Sequence, residues 1–433
     1  MAGMQFTVSL GATLAVAATG VGLTSASATA AEVTMAQQPI AMVRGDIVDR
    51  TGGITGSPSV TGGVIYVRTV KVTKPNNREV GIVPFTDAVY PSCTGVSGCM
   101  TIGKVKYSYG ISKYEVTVKQ YVTFLNTVDP TGKDKYDLYS ATESSSAWPK
   151  YGQINYSKTA RYGAHYRVSY PQWAAKPYGF ADFLRAARFA NSVQNGQVFS
   201  KSTKNGVTTY GIRLSSSTTK GMYNLNRRRA TRSHAKGFVI PSQNEWIKAA
   251  YYDPNGGGKY GYWKYPTNPG VFGDGTATQP NQVLLSSGRG NVTNSSAQPL
   301  ANDLVNAATP PTWCPFQYQP ASACNTKNPL GLSAATYQTL YKASLGTIGQ
   351  AKTKSPWGTL DQGGNAVEWT DTITPAPTGT PTARIWRRLH GGVPNSTAYQ
   401  MWPSAVGLQP QDNKFYERTY PWLGFRLGAI GNK

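Results

Sequence analysis

Two carboxylates lie seven residues apart on a glycine-rich turn in the last fifth of the sequence. The segment LDQGGNAVEW carries Asp361 and Glu368, with Gly363 and Gly364 between them. Calcium takes several oxygen ligands, and it combines carboxylates with main-chain carbonyls on a turn. The spacing therefore indicates a structural calcium ion. The alternative is a turn without metal, with Asn365 left-handed and Glu368 paired to an arginine.

Arginines are concentrated in two short segments, NRRRATRSHAK and RIWRR. A guanidinium group binds phosphate, sulfate and carboxylate through paired hydrogen bonds. The whole chain has 43 Lys and Arg against 20 Asp and Glu, a formal charge of +23, which favours anionic partners. The alternative is a solvated loop, as most charge runs are. The candidate ligand-binding residues are Arg227, Arg228, Arg229, Arg384, Arg387, Arg388, His390 and Trp402.

Cysteines and histidines do not form a recognisable metal motif. The four cysteines fall into two local pairs, and we expect Cys93 to bond to Cys99 and Cys314 to Cys324 in an oxidising compartment. Zinc is the rival interpretation, but neither pair has zinc-ligand spacing or a nearby histidine. The three histidines, at 165, 234 and 390, are scattered. The sequence also contains no specific nucleic-acid-binding motif.

Three helices and one long strand are expected to position these residues. Thr117 and Ser242 each begin a capping box, T-x-x-Q and S-x-x-E, at the start of a helix. A further helix is expected over residues 180–193. The segment GGVIYVRTVKVT alternates as an amphipathic strand does, over Val64, Tyr66, Arg68 and Val70. With 46 Gly and 28 Pro, the sequence predicts a loop-rich α+β domain.

The N-terminal segment has the character of an export signal. Residues 4–23 are apolar or small, and the small-residue stretch SASATAA follows them, although no Lys or Arg precedes Arg44. A membrane anchor is the alternative, and no later segment is long and apolar enough to span a bilayer. We therefore expect an export signal over 1–30, a β-rich arm over 31–79 and a main domain over 80–430, in a secreted, periplasmic or cell-surface protein.

Five blocks occur in the order typical of one known family. They are YGISKYEVTVKQYVTFLN, FVIPSQNEWIKAAYYDPNGG, WGTLDQGGNAVEWTDT, RRLHGGV and LGFRLGA. Together they resemble the formylglycine-generating, or sulfatase-modifying-factor, family across residues 80–430. The resemblance implies a single domain of C-type-lectin-like fold with little regular secondary structure. It also places Glu115 and Arg426 in family blocks, as candidates for a buried pair.

The resemblance also implies particular ligands. The family's structural calcium maps onto the side chains of Asp361 and Glu368 and the carbonyl groups of Gly364 and Ala366. A second calcium site maps near Asn281. The family's catalytic copper is held by two thiolates between the fourth and fifth blocks, but residues 391–424 contain no cysteine. The family's catalysis is therefore not expected here.

Three functions remain as hypotheses. The leading one is an exported, non-catalytic binding or structural protein that recognises an anionic glycan or wall polymer through a loop-rich face built from residues 384–422. The second is an enzyme of the formylglycine-generating or non-haem iron type with unassigned chemistry. The third is a ligand-binding protein diversified by a retroelement, because NSTAYQMW and QDNKFYERTY precede the last block.

Overall fold

The computed structural model describes residues 62–140, 143, 152–266, 345–349, 354–380, 384–392, 401–412 and 422–431. The chain divides into two compact units, Met1–Thr51 and Gly52–Lys433, and the described residues all belong to the second. The expected export signal lies outside them. No helix in the described part of the chain is long and apolar enough to cross a membrane.

Three α-helices and fifteen strands are present among the described residues. The helices are α1 (Val118–Val128), α2 (Phe183–Gln194) and α3 (Gln243–Tyr251). The strands are β1 (Val64–Val72), β2 (Val80–Ile82), β3 (Val89–Tyr90), β4 (Met100–Ile102), β5 (Tyr109–Ser112), β6 (Ile154–Tyr156), β7 (Tyr166–Val168), β8 (Gln197–Lys204), β9 (Val207–Arg213), β10 (Gly237–Val239), β11 (Val367–Thr374), β12 (Trp386–His390), β13 (Gly407–Pro410), β14 (Leu423–Gly424) and β15 (Gly428–Ile430).

The strands form sheets of six, four, three and two strands in the described part of the chain. The largest has the order β10-β15-β5-β1-β9-β8, and the four-stranded sheet has the order β13-β12-β11-β14. The three-stranded sheet is β3-β2-β4, and β6 pairs with β7. This is a β-rich α+β arrangement, in agreement with the fold class expected from the sequence.

Strand β1 is the predicted amphipathic strand. Ile65 and Val67 are buried, whereas Tyr66 is 43% exposed. Because successive side chains point to opposite faces, Ile65 and Val67 lie on the core side. Val70, on the other face, is also buried. β1 pairs with β5 on one side and β9 on the other. The predicted boundary at residue 79 thus does not separate β1 from the main domain.

Helices α1 and α3 begin where their capping boxes predict. Thr117 accepts the N–H of Gln120, and the Gln120 side chain accepts the N–H of Thr117. Ser242 and Glu245 make the same reciprocal pair at α3. Each capping box provides hydrogen-bond acceptors for main-chain N–H groups that have no partner within the first turn of the helix. Both helices then turn apolar residues inward, among them Tyr121 and Phe124 in α1.

Helix α2 begins three residues later than predicted. Asp182 is its N-cap and accepts the N–H of Arg185. Phe180, the predicted first residue, has φ +53°, a left-handed conformation that a helix cannot contain. The inward face, with Phe183 and Ala187 at one end, is buried as expected. α2 lies against α1 through a contact of Phe124 with Phe189, whose ring centroids are 5.3 Å apart.

Candidate functional site

The acidic turn before β11 is buried and tightly bonded. Asp361 and Gly364 have φ of +63° and +88°, so the left-handed residues are these two. Asn365, which the metal-free alternative placed in that conformation, is not among the positive-φ residues. The Gly364 N–H donates to the Gly391 carbonyl at 2.7 Å, and Asp361 Oδ2 accepts the Gly349 N–H at 2.5 Å. The first bond fixes the turn to the segment that follows β12, and the second fixes it to the segment 345–349.

Glu368 leaves this turn on β11 and pairs with Arg426. Three contacts of 2.7–3.0 Å join the guanidinium Nε and Nη2 to the two carboxylate oxygens. Both side chains are fully buried. The indole Nε1 of Trp246 donates a further bond of 2.8 Å to Glu368 Oε2. Arg426, rather than being paired with Glu115, is therefore the direct partner of Glu368.

Two more carboxyl groups lie around this pair. Glu115 is buried, and its Oε1 accepts the Asn365 side-chain N–H at 3.2 Å. Burial raises the pKa of Glu115 well above its usual range, Asp361 adds to the rise, and Arg426 partly offsets it. Arg426 also donates to three main-chain carbonyls, at Leu360, Ser112 and Lys113. The Arg426 guanidinium thus offsets the charge of a buried acidic cluster formed by Glu368, Glu115 and Asp361.

The residues of this turn do not fit the expected calcium ligand set. Both oxygens of Glu368 already accept hydrogen bonds from a guanidinium, and a metal ion there would lie beside a like charge. A Cβ built on Gly391 would lie 3.2 Å from the Ala366 carbonyl oxygen, so Gly391 packs closely against it. Within the described ranges no group of three or more His, Cys, Asp and Glu could hold a metal. Calcium binding itself stays a prediction, and Asn281 lies outside the described residues.

The first arginine cluster lies on a closed surface loop. Arg227, Arg228 and Arg229 are all exposed. A β-bridge between Tyr223 and Arg232 closes the loop at its base. Within it, the Arg227 N–H donates to the Asn224 carbonyl and the Thr231 N–H to the Arg229 carbonyl. Three neighbouring positive charges are thereby presented on a short, internally bonded segment.

The second arginine group is largely structural. Arg387 is fully buried, stacks on the Phe183 ring at 3.5 Å and donates to the Asp371 carbonyl. Burial lowers its pKa to about 10, and the charge of Asp371 opposes this fall. Arg384 and Arg388 are half-buried, and Arg388 Nη1 lies 3.4 Å from the Met100 sulfur. The three residues therefore do not form the expected exposed cluster.

Arg387 instead supports the loop that carries the first cluster. Its Nη2 donates to the Ala230 carbonyl at 2.6 Å and to Gln411 Oε1 at 2.9 Å. The Gln411 Nε2 in turn donates to the Arg228 carbonyl at 2.7 Å. The pair formed by Arg387 and Gln411 thus holds two carbonyls of the loop backbone. Sequence reasoning placed Arg387 correctly in a group of arginines but missed both its burial and Gln411.

A second buried ion-pair network lies at the base of the loop and was not anticipated. Arg232 Nε contacts Asp371 Oδ2 at 2.5 Å, and its Nη2 contacts Glu245 Oε2 at 2.6 Å. Tyr107 donates to Glu245 Oε1. Burial alone would raise the pKa of Glu245, but the charge and hydrogen bonds of Arg232 outweigh it and lower that pKa. The capping box of α3 is thereby joined to the arginine loop.

His390 lies in the interior, and Trp402 is only partly exposed. His390 is 2% exposed and stacks on Trp246, with ring centroids 5.3 Å apart and planes at 22°. Burial lowers its pKa to about 3, so the imidazole is neutral at physiological pH. It borders a shallow surface depression, which Phe85 and Gly392 also line. Trp402 is half-buried, with the Lys264 ammonium 5.2 Å from its ring.

The first expected disulfide is present. Cys93 and Cys99 are bonded, with Cα atoms 5.4 Å apart, across the end of the three-stranded sheet. Gly81 of β2 lies against both sulfur atoms, and a Cβ there would meet them at about 3 Å. Cys314 and Cys324 lie outside the described residues, so their bond stays a prediction.

Comparison with known proteins gives structural likeness only. No family model and no curated protein matches the chain. The chain is similar to Treponema denticola variable protein 1, at 15% identity and a TM-score of 0.38, over 84% of this chain and 95% of that one. It is also similar to PvdO from Pseudomonas aeruginosa, at 11% identity and a TM-score of 0.35, over 85% and 94%. Likeness of this degree assigns no activity to the chain.

Proposed function

We propose that this protein is an exported, non-catalytic binding protein that recognises an anionic polymer, such as an acidic glycan or wall polymer. The scaffold would be a C-type-lectin-like domain. The observation that carries the proposal is the exposed run Arg227–Arg229 on a loop whose backbone is held by Arg387 and Gln411. We assign ligand contact to this run, and to Arg387 a supporting role.

The loop favours binding because little of its backbone must be ordered when a ligand arrives. Ordering a flexible segment costs free energy on association, and a segment held in advance avoids much of that cost. The β-bridge at Tyr223 and Arg232 and the two bonds from the Arg387–Gln411 pair provide this order. Guanidinium groups then match sulfate, phosphate or carboxylate geometry.

Clustering matters as much as charge. At physiological ionic strength the Debye length is about 8 Å, so charges farther apart than this attract a polymer weakly. Three consecutive exposed arginines satisfy the requirement, whereas the formal +23 of the whole chain does not by itself. The proposal therefore predicts a local site and not a general attraction.

The test is binding of heparin, as a soluble polyanion, over a range of salt concentrations. Arg227→Ser, Arg228→Ser and Arg229→Ser combined should weaken binding and flatten its dependence on salt, because fewer counterions are released. The control replaces three exposed lysines elsewhere, Lys71, Lys104 and Lys158, with Ser and changes the net charge equally. Equal weakening by the control would contradict a specific site.

A charge-neutral variant tests the role of the loop support. Gln411→Ala removes the acceptor of Arg387 and the donor to the Arg228 carbonyl. We expect weaker heparin binding than in the wild type with the salt slope unchanged, because the number of arginines is the same. Thermal melting of the variant shows whether the rest of the domain is intact. If folded Gln411→Ala bound heparin as tightly as the wild type, the idea that the ordered loop backbone contributes to binding would be wrong.

A further inference from the structure

The buried pair of Glu368 and Arg426 lies where the sequence resemblance expects a metal ion. The guanidinium makes three contacts with the carboxylate and donates further bonds to the carbonyls of Leu360 and Ser112. It therefore neutralises an acidic side chain and binds main-chain carbonyl oxygens. Those are the two tasks that a calcium ion performs on such a turn.

We propose that Arg426 is the permanent cation of the Asp361–Glu368 turn, so that this turn folds without a divalent metal ion. The pair is fully buried on both sides, and Trp246 donates to the same carboxylate. A cation at Glu368 would have to displace the guanidinium, which among the described residues hydrogen-bonds to no other carboxylate. This inference is independent of the anionic-polymer proposal.

The first measurement separates Glu368 from any other calcium site in the chain. The melting temperature of the wild type and of Glu368→Gln is recorded in chelator and in millimolar calcium. We expect the calcium-induced shift to be the same in both proteins, because Glu368 does not bind the ion. A larger shift in the wild type than in Glu368→Gln would overturn the proposal.

The second measurement tests whether Arg426 supplies the charge. Arg426→Met leaves Glu368 buried without a partner, and we expect the melting temperature to fall by roughly 10 °C. Adding Glu368→Gln to this variant should recover part of the fall, because the uncompensated charge is removed. The control is Arg185→Met, which removes another buried arginine, here from its ion pair with the exposed Asp137. Glu368→Gln should give that control no recovery.

Each outcome of this cycle decides the matter. Recovery in the Arg426→Met background alone supports the proposal, whereas no recovery, or equal recovery in both backgrounds, overturns it.

Terbium provides a further readout, since an ion bound at Glu368 would lie near Trp246 and give sensitised emission. Such emission from the wild type that Glu368→Gln abolishes would also overturn the proposal. If Arg426→Met does not fold, the comparison in calcium and the terbium readout still decide.

Discussion

Buried carboxyl groups dominate the chemistry at the scale of single residues. Glu143 is 3% exposed and accepts hydrogen bonds from the main-chain N–H groups of Gln153 and Ile154 and from the Tyr178 hydroxyl. Burial raises its pKa from 4.5 to about 8, although these bonds oppose the rise. The folded state therefore prefers the protonated carboxyl at this position.

This preference predicts a dependence of stability on pH. The pKa of Glu143 is higher in the folded state than in the unfolded state. Its contribution to the free energy of unfolding is therefore complete below pH 4.5 and is lost as the pH rises through about 8. Urea unfolding across this range should show that Glu143→Gln is less dependent on pH than the wild type. Glu79→Gln, at a half-buried position, should keep the wild-type dependence. Parallel curves for the wild type and Glu143→Gln would contradict the assignment.

The second cysteine pair provides another test at the residue scale. Cys93 and Cys99 are bonded as the local spacing predicted. By the same reasoning, peptide mapping without reductant should yield a linked Cys314–Cys324 peptide. Free thiols, or a peptide that links one pair to the other, would show that local spacing was a poor guide in this chain.

At the scale of elements, the capping box of α3 joins a helix to the arginine loop. Ser242 accepts the Glu245 N–H at 3.3 Å, and the Glu245 carboxylate also binds Arg232. Ser242→Ala should lower the free energy of unfolding by about 1 kcal/mol, because one first-turn donor loses its acceptor. Ser202→Ala on the exposed strand β8 is the control and should change it by less than about 0.5 kcal/mol. Equal decreases in the free energy of unfolding for Ser242→Ala and Ser202→Ala would argue against a stabilising role of the N-cap.

The elements also show which features the sequence could predict. α1 and α3 begin as predicted because a capping box is a local signal, readable within four residues. The start of α2 was missed because the left-handed backbone at Phe180 has no such signal. Arg387 was expected at the surface because charged residues are mostly exposed. It lies two residues before the buried Leu389 on β12, and that alternation could have indicated an inward side chain.

At the scale of the whole molecule, pairings between distant segments were beyond prediction. From the sequence, the metal-free alternative paired Glu368 with an arginine that was not specified. The expected partner of Arg426 was a different carboxylate, Glu115. The fold brings Glu368 and Arg426 together across 58 residues of chain. Such a choice depends on how the sheets assemble and not on local spacing. The blocks that carry the family resemblance did not indicate which side chains are exposed to a ligand, as the burial of Arg387 and His390 shows.

The whole chain also makes a prediction about catalysis. The last cysteine is Cys324, so no thiolate pair follows Gly391, where the family that the sequence blocks resemble is expected to hold copper. Incubation with copper, oxygen, a reductant and a cysteine-containing sulfatase peptide should yield no aldehyde by mass spectrometry. A blank with copper and no protein sets the background. Product formation above this blank would favour the enzyme hypothesis over the binding protein.

The order of strands in the largest sheet has a consequence for how the chain is made. β5, in its centre, pairs with β1 on one side and with β15 on the other, so Ile111 is joined to both Val70 and Gly428. Arg426 likewise donates to the Ser112 carbonyl, 314 residues earlier in the chain. Such non-local pairing forms slowly, because long loops must close first. During synthesis of the residues between them, β5 cannot yet pair with β15. The six-stranded sheet therefore stays incomplete in the nascent chain until β15 has been made, more than 300 residues after β5.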